Sequence, residues 1–310
     1  MFKVLIPTKL DKIAKETLEA AGEYSVIQVE GDDLESLARD NTDAQALIVR
    51  SNKVSKEIID MLPDLKAVVR AGSGYNTIDT EYAREKGVDV MNTPGANANA
   101  VAEEVICMML ADARHVVEAD PSVRSGKWEK KRLKGKEISD KTIGIIGLGA
   151  IGKLVAKRLQ GFDMRILAYD PFYTKDMLQG SNIELMDVND MLPLCDYVSL
   201  HLPENDKTRG MVNSEFLKLM KPGATIVNCA RAGIIDEEAL RALKDEKSIR
   251  FLNDVYHADA AGDKSVADIA DLMMPHLGAS TEESNRNAAL RAAEQLIELN
   301  STGSSEYIVN

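Results

Sequence analysis

The segment Lys141 to Gly152 reads Lys-Thr-Ile-Gly-Ile-Ile-Gly-Leu-Gly-Ala-Ile-Gly. An apolar run, Thr142–Ile146, feeds directly into Gly-x-Gly-x-x-Gly, and a helical stretch, Lys153–Gln160, follows. The spacing has a physical meaning. Gly147 makes the tight turn, Gly149 lets the backbone approach a pyrophosphate, and Gly152 allows helix and strand to pack closely. A second apolar run, Met164–Tyr169, ends in Asp170, about where a carboxylate receives the ribose hydroxyls of an adenosine. That carboxylate repels a 2′-phosphate, and Pro171-Phe172-Tyr173 offers no arginine to receive one, so the pattern favours NAD over NADP. The bland alternative is a glycine-rich turn with an exposed acid at its strand end.

A dehydrogenase using NAD also needs a proton acceptor for the substrate hydroxyl, a group that orients the acceptor, and a cation for a carboxylate. Four histidines are available. His115 falls in a long helical stretch and reads as structural. His201 ends a strand in Leu200-His201-Leu202-Pro203 and reads as packed, although it borders the nucleotide crevice. His257 lies in a loop after Asp254-Val255-Tyr256 and is ambiguous. His276 stands between Pro275 and Leu277-Gly278, just before a helix start, where a strand-to-helix turn fixes a side chain against exposed backbone. Arg231 follows the apolar strand that runs into Asn228-Cys229-Ala230. Ligands of open α/β sheets bind beyond the carboxyl ends of strands, which suits it to clamp a carboxylate. A surface arginine capping a strand is the alternative.

These residues need a scaffold of alternating strands and helices. The first ninety residues contain strand candidates Val4–Ile6, Ser25–Val29, Ala46–Val49, Ala67–Val69 and Val88–Met91, separated by helical patterns such as Asp11–Ala21 and Lys56–Met61. A second series follows at Thr142–Ile146, Met164–Tyr169, Tyr197–Leu200, Thr225–Asn228 and Arg250–Leu252. The pattern predicts an α/β protein with two Rossmann-like, doubly wound parallel-sheet domains. Between the series, Ala98–Val117 reads as one helix buried between domains, with Val101, Val105, Met108 and Asp112 in helical spacing and Glu103 and Glu104 in its first turns. A last helix begins at a capping box in Ser280-Thr281-Glu282-Glu283 and stops near Gly303. Packed back on the first domain, it makes that domain discontinuous: 1–96 with 281–310 around 97–280.

With 38 Lys and Arg against 50 Asp and Glu, the net charge is −12, opposite to a nucleic-acid-binding footprint. Cys107, Cys195 and Cys229 lack metal-site spacing and read as reduced thiols. No apolar stretch has the length of a membrane span or a secretory signal, so a soluble cytoplasmic protein without membrane or nucleic-acid partners is expected.

The chain resembles the D-2-hydroxyacid dehydrogenases. The blocks that carry the resemblance are Val69-Arg-Ala-Gly-Ser-Gly-Tyr-Asn76, Met91-Asn-Thr-Pro94, Gly126-Lys-Trp-Glu129, the glycine motif, Pro193-Leu-Cys-Asp196, Asn228-Cys-Ala-Arg231 and Pro275-His-Leu-Gly-Ala-Ser-Thr281. They span essentially the whole chain. The resemblance implies NAD-dependent oxidation of 3-phosphoglycerate to 3-phosphohydroxypyruvate, the first step of serine biosynthesis, in a homodimer. It makes His276 the general acid/base and Arg231 the carboxylate-binding arginine. The family's third catalytic member is a glutamate five positions after the aspartate of an Asp-Val-aromatic motif. Here Asp254-Val255-Tyr256 is present, but the fifth position is Asp259, one methylene shorter. Unless the backbone compensates, its pairing with His276 weakens.

The resemblance further assigns NAD contacts to Ser73, Ala150, Ile151, Asp170, Cys229, Ala230, Asp254, Gly278 and Ala279, with Asp254 near the nicotinamide amide. Leu202 replaces a threonine and lacks its hydroxyl. Arg50, Arg70, Ser73, Gly74 and Asn97 are implied on the substrate. Arg132, within Lys130-Lys131-Arg132, resembles a basic segment that reaches a neighbouring subunit's site; a solvated basic loop is the alternative. Family members often carry a C-terminal serine-binding domain, and a chain ending at Asn310 is expected to lack regulation through one. Three other readings stay open: a glyoxylate or hydroxypyruvate reductase, for which Arg50 and Lys130–Arg132 are dispensable; a non-catalytic NADH-sensing module; and an NAD enzyme of another reaction type on this fold.

Overall fold

Five short runs rich in Val, Ile, Leu and Ala, with almost no polar residue at their centres, must be covered on both faces and therefore build a parallel sheet. They are β1 (Phe2–Ile6), β2 (Tyr24–Gln28), β3 (Ala46–Val49), β4 (Ala67–Arg70) and β5 (Asp89–Asn92), in the order β2-β1-β3-β4-β5. The second series gives β6 (Thr142–Ile146), β7 (Arg165–Tyr169), β8 (Ile183–Leu185), β9 (Tyr197–Leu200), β10 (Thr225–Asn228), β11 (Arg250–Asn253) and β12 (Leu272–Met273), ordered β12-β11-β10-β9-β6-β7-β8. Among the described residues, every pairing between these strands is parallel. Strands β8 and β12 escape the sequence pattern because two or three residues at a sheet edge show no periodicity. The computed structural model describes residues 1–31 and 33–310.

The chain divides into two units, Met1–Asn97 with Ser280–Asn310, and Ala98–Ala279. In the first, the Glu282–Thr302 helix lays Ala288, Ala289, Ala292, Ala293 and Leu296 against Ala14 and Leu18 of the Ile13–Ala20 helix and the β1–β4 face. A stripe of alanines lets the two helices approach closely. The helix starts one residue later than the capping box suggests: Thr281, not Ser280, is the cap, its Oγ1 accepting from the Ser284 amide at 3.1 Å. Gly303, at φ +74°, terminates it.

In the second unit, the expected single helix over Ala98–Val117 is two. It runs Ala98–Ala113, stops, and restarts at Val116–Arg124 after His115 in a left-handed conformation (φ 53°). The cause is tertiary: the Lys136 amide donates to the Ala113 carbonyl at 2.8 Å, and a Cβ on Gly135 would lie 2.5 Å from that oxygen. A strand of backbone thus takes the carbonyl that would have continued the helix. Glu103 and Glu104, expected in the first turns, lie beyond the first turn of the Ala98–Ala113 helix. Val101, Val105, Met108 and Asp112 are buried. Asp112 receives Arg250 of β11 through Nε (2.9 Å) and Nη2 (2.5 Å), fixing this helix to the sheet.

Candidate active site

Strand register decides which residues share an edge. Ile146 pairs with Tyr169 and Leu200, Leu200 with Asn228, and Asn228 with Asn253, so β6, β7, β9, β10 and β11 end level. The residues immediately beyond are Gly147, Asp170, His201, Cys229 and Asp254. The reversal of strand order between β6 and β9 places the ligand crevice of such a sheet at this edge.

The glycines there are required by space. Gly147 has φ +102°, and a Cβ on it would lie 2.4 Å from the His201 carbonyl; one on Gly152 would lie 2.0 Å from the Gly147 carbonyl. Gly149 differs, since no atom lies within 4 Å of its would-be Cβ. It caps the Ala150–Leu159 helix, so amides and the positive end of the helix dipole face open space there. That cradle fits a pyrophosphate. Asp170 accepts from the Leu148 amide (2.7 Å) and the Phe172 amide (2.9 Å), holding the turn against its own strand end. A carboxylate has about four acceptor positions, leaving capacity for a ribose hydroxyl.

His276 and Asp259 meet. The histidine Nδ1 lies 2.6 Å from Asp259 Oδ2. A carboxylate only accepts, so Nδ1 carries the hydrogen, and in the neutral imidazole this leaves the lone pair on Nε2. His276 is left-handed (φ 56°), a conformation histidine tolerates better than most residues. The turn is held by buried Asp254, whose two oxygens accept from the Leu277 amide (2.7 Å) and the Gly278 amide (2.9 Å). Burial raises the Asp254 carboxyl, and those two amides oppose the rise. Arg231 stands two residues beyond the level of Cys229. Its Nη1 donates to the Ala230 carbonyl at 2.7 Å, which pins the guanidinium at the strand end. Asn228 organises the same turn, its Oδ1 accepting from the Ala230 amide and its Nδ2 donating to the Arg231 carbonyl.

In the first unit, Val49, Arg70 and Asn92 are in register across β3, β4 and β5, and Arg50 follows directly. Arg50 is partly buried, and burial pulls its guanidinium below the ordinary value. Arg70 folds over its own loop, its guanidinium lying where a Cβ on Gly72 would stand, and the backbone of Gly72 (φ +144°) is one that favours glycine. Ser73 donates through Oγ to Asn97 Oδ1 at 3.1 Å, and Asn92 Nδ2 donates to the Ser73 carbonyl. Gly74 continues this loop. Arg132 lies elsewhere, in the second unit. It bonds Glu118 at 2.6 Å and Glu129 at 3.0 Å, and this fork holds the Glu129 carboxyl down to about 2.

Of two further residues near this edge, His201 follows the sequence reading and Glu104 escapes it. His201 does pack, bonded through Nε2 to Ser199 Oγ at 2.9 Å, with burial lowering it to about 4. It nevertheless stands in register with Gly147, and its carbonyl shapes the glycine turn. Glu104, read only as a helix-dipole partner, has a buried Oε1 without a hydrogen-bond partner among the described residues. Helical spacing from Val101 and Val105 was the one signal that it turns toward the sheet. Burial, with the charges of Asp254 and Glu104, also raises Cys229 and keeps it a thiol.

Residues 106–278 match the family D-isomer specific 2-hydroxyacid dehydrogenase, NAD binding domain. The chain belongs to this family. It is 40% identical over 314 residues to the D-3-phosphoglycerate dehydrogenase of Methanocaldococcus jannaschii, covering 100% of this chain and 60% of that protein. The chain thus spans about three fifths of that relative's length. It is also 40% identical over 307 residues to the hydroxypyruvate reductase of Thermotoga maritima, covering 95% of this chain and 97% of that one. The NAD+-bound 3-phosphoglycerate dehydrogenase of Entamoeba histolytica superposes with a TM-score of 0.79 at 32% identity, covering 100% of this chain and 98% of that chain. Among the described residues, no helix is long and apolar enough to cross a membrane.

The chain carries a buried acid whose cost can be measured. Burial, then the charge of Asp254, raises the Glu104 carboxyl. A carboxyl raised on folding binds its proton more tightly in the folded chain, so stability falls as pH rises through its range. Glu104→Gln should therefore raise the melting temperature at pH 8, and the gain should shrink toward pH 4. Thermal melts at both pH values test this; an equal gain at both, or a loss at pH 8, would contradict it.

Proposed function

We propose that this chain catalyses NAD-dependent oxidation of 3-phosphoglycerate to 3-phosphohydroxypyruvate, the entry reaction of serine biosynthesis, in the cytoplasm. The observation that carries this reading is the His276–Asp259 pair at 2.6 Å, on the sheet edge that also holds the glycine cradle and Arg231. A non-catalytic NADH-sensing module has no use for a histidine oriented in this way.

Bound at this edge, NAD supplies the acceptor for the hydride leaving C2. Gly147, Gly149 and Gly152 would hold the pyrophosphate and Asp170 the ribose, with Ala150, Ile151, Cys229, Ala230, Asp254, Gly278 and Ala279 as the further cofactor contacts that the resemblance implies, to which it adds Ser73. Arg231 pairs with the substrate carboxylate and polarises the adjoining carbon. Asp259 holds Nδ1–H of His276, so Nε2 takes the hydroxyl proton. Oxidation needs the neutral imidazole and should speed up with rising pH; reduction needs the imidazolium and should slow. The resemblance assigns Arg50, Arg70, Ser73, Gly74 and Asn97 to the rest of the substrate, and the two arginines have the chemistry for a phosphate or carboxylate. Arg132, tied to Glu118 and Glu129, would have to exchange those partners to contribute.

A second reading has its own support. The hydroxypyruvate reductase of Thermotoga maritima is matched over nearly its full length, unlike the longer phosphoglycerate dehydrogenases. Oxidation of NADH with 3-phosphohydroxypyruvate, beside unphosphorylated hydroxypyruvate at equal concentration, separates the two. A large preference for the phosphorylated substrate upholds the proposal. Equal or reversed preference assigns the chain to the reductases, and NADH binding without turnover revives the sensing module.

The working form is a homodimer. Trp128 is 82% exposed, and Val116, Val117 and Val123 are exposed nearby in sequence, an apolar surface that a second copy would cover. Trp128→Glu is expected to shift the protein to a monomer in sedimentation velocity; an unchanged coefficient places the interface elsewhere.

A further inference from the structure

Asp259 is one methylene shorter than the family's glutamate, yet its carboxylate reaches His276. Its loop, residues 257–264, contains no helix or strand and turns at Gly262 (φ +116°). Among the described residues, no backbone–backbone hydrogen bond ties residues 258–263. Resting on the acid/base reading above, we propose that Lys264 is the positioning residue that carries the short Asp259 carboxylate onto His276. The Lys264 side chain crosses the loop, and its Nζ donates to the carbonyls of Ala258 (2.9 Å) and Ala260, the two neighbours of Asp259. The same ammonium stands 5.3 Å from the centroid of the Tyr256 ring.

Tyr256 closes the circuit. Its hydroxyl donates to the Met274 carbonyl at 2.8 Å, two residues before His276. A continuous set of contacts therefore runs from the histidine turn through Tyr256 and Lys264 to the peptides on either side of Asp259. An ammonium offers three donors, and two carbonyls with an aromatic face satisfy it without a carboxylate partner. By gathering the Ala258 and Ala260 carbonyls to one point, Lys264 bows the loop and advances the residue between them. The loop supplies the reach that the side chain lacks. Charges bearing on His276 are Asp259 on this loop and Asp254 beneath the Leu277 and Gly278 amides, with Glu104 acting on Asp254 from the Ala98–Ala113 helix.

The test is the titration of His276 in the unliganded protein, followed by long-range 1H–15N spectra. Four histidines keep the spectrum simple, and His276→Asn assigns the signal. In Lys264→Met the midpoint should fall toward that of Asp259→Asn. Lys264→Arg should stay near the parent, and adding Asp259→Glu to Lys264→Met should restore it, because a longer carboxylate no longer needs the advanced loop. With the keto acid that turns over, Lys264→Met should lower kcat about tenfold, in keeping with the sensitivity of proton transfer to small misplacements, and leave the KM for NADH unchanged. A merely structural lysine would move the melting temperature but not the titration. If Lys264→Met fails to fold, Lys264→Gln must give the same result. The proposal is overturned if His276 titrates as in the parent without the lysine while Asp259→Asn shifts it. If Asp259→Asn itself leaves the titration and kcat unchanged, the acid/base pairing fails, and the proposal falls with it.

Discussion

Replacing His276 by asparagine is expected to lower turnover by about 10²–10⁴-fold, the range for losing a positioned general acid/base, while changing NADH affinity by less than about twofold. Asparagine is the better probe than alanine because position 276 is left-handed (φ 56°), where alanine adds about 1–2 kcal/mol of backbone strain. It cannot take up a proton, and the Asp254 clasp acts on the Leu277 and Gly278 amides rather than on the replaced side chain. Cofactor binding should therefore survive. Steady-state kinetics with a fluorescence titration of NADH decide the matter. Loss of both activities together would make His276 structural, and retained turnover would remove it from the reaction. The His276→Ala variant should show the same kinetic loss with a lower melting temperature.

Truncating Arg231 to alanine is expected to reduce kcat/KM by about 10²–10⁴-fold, since two charge-assisted hydrogen bonds contribute roughly 1.5–3 kcal/mol each. The Ala230 carbonyl occupies Nη1, and the Nε and Nη2 edge supplies the two parallel donors that a carboxylate accepts. Arg231→Lys keeps the charge and loses the fork, so it should recover only part of the activity. NADH affinity should change little in either variant. The comparison is made on kcat/KM for the keto acid, with kcat separated: a loss confined to KM would mean that Arg231 holds substrate and transition state equally, and no loss in Arg231→Lys would mean that charge alone matters.

Much of this site was legible in the chain because its chemistry is local. The spacing of Gly147, Gly149 and Gly152 is dictated by one turn and one helix start. The strand runs at Thr142–Ile146, Tyr197–Leu200 and Thr225–Asn228 coincide with β6, β9 and β10, since strands buried on both faces must be continuously apolar. The break at His115 was not legible. A helix ends there because Lys136, distant in sequence, takes the Ala113 carbonyl, and no propensity in Ala98–Val117 records that. Glu104 hid for a similar reason: a glutamate read as a helix-dipole partner shows its burial only once the opposing surface is known.

The sequence by itself determined the parallel α/β class, the glycine turn, the acid at the end of β7 and the residue types proposed for catalysis, because each follows from a pattern within one strand or one turn. Tertiary structure alone decided whether Asp259 meets His276. A side chain one methylene short reaches only if the backbone beneath it moves, and the cross-loop bonds of Lys264 accompany a 2.6 Å contact. It likewise decided that Gly147, Asp170, His201, Cys229 and Asp254 share one edge, because register is a property of paired strands and belongs to no strand on its own.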